Sequence, residues 1–146
     1  MPDDVFTRAG HNLAIVVRSV ADPTALTPVL SALGIELVGL MQTDLSRHGS
    51  GRIYRRRGVT HQASAPGEPP ATDTGIYKGS WAWKVDRDGL SVGTPDERGP
   101  WFEFGTSRMR PRPHARPLFE RVQGRISQVI QTGIVSVQRR AAGGLS

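Results

Sequence analysis

The sequence predicts an α+β domain: a small antiparallel sheet of three to four strands packed by two long amphipathic helices, with a long extended loop or arm. Three observations predict it. Two stretches place an apolar residue at every third or fourth position, the period of a helix with one buried face. A third alternates large apolar with small or polar residues on either side of a short turn, as a β-hairpin does. Residues 49–75 show no apolar period and are rich in glycine, proline, serine and threonine, the composition of an arm.

The elements follow in chain order. Residues 13–20 are a β-branched run that reads as a first strand or the opening of a helix. Leu26, Val29, Leu30, Leu33, Leu37, Leu40, Met41 and Leu45 then form the stripe of the first long helix, ending near His48 and Gly49. Asp22 or Thr27 is the expected cap, and Pro28 suits a first turn. After the 49–75 arm, residues 74–80 predict a short helical turn capped by Asp73 or Thr74. Residues 81–85 predict a strand, 86–89 a turn and 90–94 the returning strand. Residues 101–104 read as a third strand or a short helix. Leu118, Phe119, Val122, Ile126, Val129, Ile130, Ile134 and Val137 mark the second long helix, with Pro117 in its first turn. A single domain spanning 1–146 is expected, with a flexible tail at 141–146.

Composition narrows the function classes. Of the 19 cationic side chains 17 are arginine, and the net charge is +6. Arginine meets phosphate or carboxylate through a planar fork, which suits fixed polar contacts. The chain has no cysteine, which excludes disulfides and thiolate chemistry. No apolar run approaches the ~20 residues of a membrane span, and the acidic start lacks the order of a signal peptide. The four histidines are dispersed with no metal-ligand spacing, so no metal, cofactor or catalytic residue is expected, and the histidines are expected to be solvated or capping.

Two clusters carry the candidate contacts. The first is the run Arg52, Tyr54, Arg55, Arg56 and Arg57, with Arg47 just before it and no acid between Asp44 and Glu68. Such a run contacts a nucleic-acid backbone, serves as a subunit contact, or is simply solvated. The second is the stretch from Trp101 through Glu103 to Arg108, Arg110, Arg112 and Arg116. Glu103, flanked by aromatics, is expected to pair with one of those arginines across a subunit contact, and Trp101 is the expected anchor. The competing role for Glu103, a general acid, lacks a partner base or nucleophile.

Three motifs together, "HQASAPGEPPATDTGIYKGSWAW", "WFEFGT" and "RPRPHARPLFERV", resemble in order and spacing a family of small neck and tail proteins of long-tailed double-stranded DNA phages. Its members are described as tail-component, tail-completion, head–tail joining or tail-terminator proteins. The matches lie at 63–70, 74–80, 103–106 and 115–117, and the resemblance covers roughly residues 25–138. The chain departs from the pattern at Ile76 and Tyr77, at His114 and Ala115, and by the run at 13–20. The resemblance implies a non-enzymatic subunit of a ring, expected in six copies. That ring sits between the tail tube protein and the head-closure or connector protein, with genome DNA passing through its lumen without sequence specificity. The implied place is the virion neck, after assembly in the host cytoplasm, with no membrane contact. The alternative is a small basic nucleic-acid-binding protein that uses the 47–61 cluster.

Overall fold

The computed structural model describes residues 13–17, 24–47, 49–71 and 75–144. Among them the order is β1 (Leu13–Val17), α1 (Thr27–Leu45), β2 (Ile53–Arg56), β3 (Val59–Gln62), α2 (Ile76–Gly79), β4 (Ala82–Asp86), β5 (Gly89–Thr94), α3 (Arg98–Phe104) and α4 (Ala115–Gly143). The architecture is α+β. A three-stranded antiparallel sheet in the order β1-β5-β4 packs against α1, and β2 and β3 form a separate two-stranded sheet.

The predicted hairpin forms with its turn at Arg87 and Asp88. Asp86 Oδ1 accepts the Asp88 amide at 2.8 Å, and Gly89 takes a φ of 122°. β5 is the central strand, pairing Trp83 with Val92 on one side and Leu13 with Thr94 on the other. Of the two readings open for residues 13–20, the strand is the one that forms over Leu13–Val17; residues 18–20 lie outside the described part, as do the candidate caps Asp22, Asp73 and Thr74.

α1 buries its predicted stripe. Leu26, Leu30, Leu33, Leu37, Met41 and Leu45 are all buried against Leu90, Val92 and Trp81 and against Leu118, Val122 and Ile126 of α4. Burying each large aliphatic side chain contributes about 1.5–3 kcal/mol, so this stripe dominates the packing energy. Leu26 occupies the N-cap position of α1 without a side-chain capping bond, and Pro28 stands in the first turn as predicted. Gly34 explains how a helix carrying two glycines meets the sheet. A Cβ there would stand 2.8 Å from the Trp83 ring, so its absence lets β4 approach α1.

α4 runs antiparallel to α1, with two ion pairs joining them near the start of α4. Arg121 Nη2 meets the buried Asp44 at 2.8 Å, and Arg125 Nε meets Glu36 at 2.8 Å. Farther on, Gly133 lies against Val29 and Leu26. α4 continues through Gly143, three residues into the expected tail. Residues 101–104 are the last turn of α3, so the helical alternative holds there.

The largest departure from expectation is at 49–75. Instead of a structureless arm, the segment contains the β2–β3 ribbon on a fixed root. Arg57 and Gly58 turn it with φ of 51° and 79°, the left-handed pair that matches strand twist in a two-residue hairpin. The root is closed by Gly51 donating to Ala63 O at 2.8 Å and Ala63 donating to Arg52 O at 2.9 Å. The Glu68 carboxylate then accepts from the Ser50 amide at 2.9 Å, the Ser50 hydroxyl and the Ala65 amide at 2.8 Å. Those three donors hold the Glu68 pKa down at about 2, with the Ser50 hydroxyl bond the largest cause.

Candidate functional site: a buried helix cap and an exposed basic ribbon

The predicted contact residues fall into two groups. In the first, the last turn of α3 divides its side chains between solvent and interior. Trp101 and Phe104 point outward, whereas Phe102 and Glu103 point in. Phe102 packs edge-on against Tyr77 at 5.1 Å.

Glu103 is buried and anchors the start of α4. Oε2 accepts the amides of His114 at 2.8 Å and Ala115 at 2.9 Å, and Oε1 accepts the amide of Arg116 at 2.9 Å. The first amides of a helix have no partner within it and carry the positive end of the helix dipole, which a carboxylate satisfies. The expected arginine side-chain partner is therefore replaced by backbone. Arg116 contributes its amide, while its guanidinium reaches out to Glu120 at 3.7 Å. A carboxylate that satisfies three helix amides from inside the fold serves as a cap.

His114 occupies the N-cap position of α4, but its ring does not cap the helix. It is buried between Tyr77 and Trp81, with ring centroids 5.6 and 5.7 Å away. Its Nδ1–H donates to Arg112 O at 3.0 Å and lies 3.2 Å from Glu103 Oε2; the Tyr77 hydroxyl meets Nε2 at 2.5 Å. Burial pushes the His114 pKa below its ordinary value, against the opposing pull of the Arg112 carbonyl and Glu103. Burial likewise raises that of Tyr77. Both rings are thus held neutral, the phenol donating and the imidazole accepting. This histidine is neither solvated nor a cap, contrary to expectation.

The remaining arginines of this stretch separate. Arg108 and Arg110 are exposed in the loop before α4. Arg112 is half-buried, and its Nη2 donates to Ser64 O at 3.3 Å. Together with Gly67 donating to Pro111 O at 3.1 Å, this ties the ribbon root to the loop that starts α4.

The second group is the ribbon. Arg52, Arg55, Arg56 and Arg57 are all exposed, whereas Tyr54 is half-covered by stacking on His61 across the strands at 5.5 Å. Ile53 and Val59 are 64% and 57% exposed, so the ribbon has no buried apolar face within its own chain.

Three structural residues escaped sequence reasoning: Glu68, Tyr77 and His114. Glu68 stands between glycine and proline, where no period exists to locate its partners, and the Tyr77–His114 pair spans 37 residues. Among the described residues no group of three side chains is placed to hold a metal ion, and no helix is long and apolar enough to cross a membrane. Comparison with protein-family models, with curated proteins and with solved structures gives no match.

Proposed function

We propose that this chain is a structural subunit of a ring at the head–tail junction of a long-tailed double-stranded DNA phage. In this reading the ring ends the tail tube and joins it to the head connector. The ribbon carries the proposal. An isolated two-stranded ribbon is marginal in water and leaves both edges open for pairing, so one with exposed Ile53 and Val59 on a fixed root is built to be covered by a neighbour. A contact between unlike surfaces of identical copies closes into a ring when its rotation closes. The motif resemblance supports the place in the virion, and exposed Trp101 offers a second contact surface outside the core.

The expected result is a closed ring of about six copies by native mass spectrometry and electron microscopy, alone or on tail tube protein. Replacing both Ile53 and Val59 by aspartate abolishes it while the far-ultraviolet circular dichroism is unchanged. A chain that stays monomeric at every concentration, with and without tube protein, refutes the reading.

The exposed arginines of the ribbon favour one second reading, a basic nucleic-acid-binding protein. A two-stranded ribbon fits the major groove, and guanidinium contacts to phosphate make the affinity fall steeply with salt. Tight, salt-sensitive binding of duplex DNA by the monomer selects this reading over the ring.

A further inference from the structure

Beside β1 lies a groove of about 730 Å3, lined by Leu13 and Ala14 of β1, Phe104 of α3, Pro111 and Pro113 of the following loop, and Phe119 of α4. β1 is an outer strand. It pairs with β5 on one side, and among the described residues no strand pairs with the other. Among the described residues the groove takes Leu13 and Ala14, the start of β1, and no residue of β4 or β5.

Its floor is apolar and uncovered, with Phe104 72% and Phe119 37% exposed. Among the described residues its lining holds one cation, Arg116, and the exposed Arg110 stands next in sequence to the lining residue Pro111. Among the described residues the one carboxylate lining the groove, Glu103, already accepts three amides at the start of α4. Arg116's own ion pair, at 3.7 Å between two mostly exposed side chains, is weak and readily exchanged.

We propose that this groove docks an extended, acidic segment of a partner protein in which apolar residues alternate with carboxylates. The segment adds as a strand to the open edge of β1, its apolar side chains fill the space between Phe104 and Phe119, and its carboxylates meet Arg116 and Arg110. Strand addition of this kind takes affinity from main-chain hydrogen bonds and selectivity from pockets for alternate side chains. Charge complementarity chooses the occupant. The ribbon of a second copy brings four more arginines to Arg116 and Arg110, and a nucleic-acid backbone has no apolar side chains for the floor. The inference goes beyond ring formation, since it concerns a contact with a different protein.

The test uses the full chain and a fluorescein-labelled blocked heptapeptide, Asp-Val-Asp-Phe-Asp-Val-Asp, read by anisotropy, with hydrogen exchange at the amides of 13–17. Binding is expected with slower exchange in β1. Affinity should fall at least tenfold in Arg116→Glu and in the double variant Phe104→Ser with Phe119→Ser. It should be lost for a peptide with lysine replacing aspartate, and for one N-methylated on alternate amides. Arg116→Glu exchanges the exposed pair with Glu120 for a like-charge contact, a small cost that an acid in the first turn of α4 offsets through the helix dipole, so the fold is expected to hold. Its thermal midpoint confirms this. Four results overturn the proposal: no binding at millimolar peptide, equal binding of the lysine or methylated peptide, indifference to both variants, or a duplex oligonucleotide displacing the peptide with the same variant sensitivity. Light scattering on the same samples separates the two readings. Rings that persist in Arg116→Glu while peptide binding is lost support the docking site, and rings lost together with all peptide binding make the groove a contact between copies and overturn it.

Discussion

Glu103 joins one side chain to three amides at the start of a helix that begins twelve residues later. Glu103→Gln keeps the shape but turns one acceptor into a donor facing an amide, and the expected loss is about 2 kcal/mol by chemical denaturation. A charge reversal there unfolds the start of α4 as well as any interface, so surface substitutions such as those in the ribbon are the cleaner probes of assembly. His114 sets a pH dependence. Its folded pKa lies below the unfolded value of about 6.5, so the unfolded chain takes up the proton first. Stability is therefore full above about 6.5 and falls as the pH drops toward the folded pKa. His114→Gln flattens that part of a melting-temperature profile. The Glu68 carboxylate acts lower, losing its contribution between its ordinary value of about 4.5 and about 2. None of these roles was legible in the residues themselves, because each partner set is fixed by tertiary packing across tens of positions. What could be read, from its aromatic neighbours, was that Glu103 would be paired; the partner read was an arginine, and the structure supplies backbone amides instead.

At the scale of elements, legibility followed periodicity. α1, α4 and the β4–β5 hairpin have strong periods of 3.6 or 2, and the structure forms them where the periods lie. The β2–β3 ribbon has none, since arginines occupy both of its faces and its two aliphatic residues face solvent. Its turn is hidden as well, because Arg57 adopts the left-handed conformation that asparagine or glycine usually signals. Residues 101–104 were ambiguous for a related reason: four residues, three of them aromatic, fit a strand or one helical turn. The ribbon's turn is testable. Gly58→Val places a β-branched residue at a φ of 79°, at an expected cost of about 1–2 kcal/mol localised to the ribbon. Hydrogen exchange at 53–62 should quicken while the amides of α1 and α4 keep their protection.

At the scale of the whole molecule, α1 is the shared partner, touching the sheet through Gly34 and α4 through its leucine stripe and its carboxylates. Gly34→Ala forces a methyl into the Trp83 ring. The expected loss of about 1–3 kcal/mol, read from urea denaturation, comes despite alanine's better helix propensity. A gain in stability would mean that the sheet and α1 can slide apart without penalty. The α+β class and its two long helices were readable because they rest on local patterns. The order β1-β5-β4 was not, because pairing the chain's first described strand with its last depends on closing a long loop.

The ribbon's root has a mechanical consequence. Its strands end in a clasp of Ser50, Ala65 and Glu68, and the clasp is fastened through Ser64 and Gly67 to the loop that carries His114 and opens α4. A pull on the arginine tip is not absorbed by a slack tether. It arrives, as along a lever with a stiff pivot, at the three amides gripped by Glu103, so a neighbour leaning on the tip also strains the base of the longest helix.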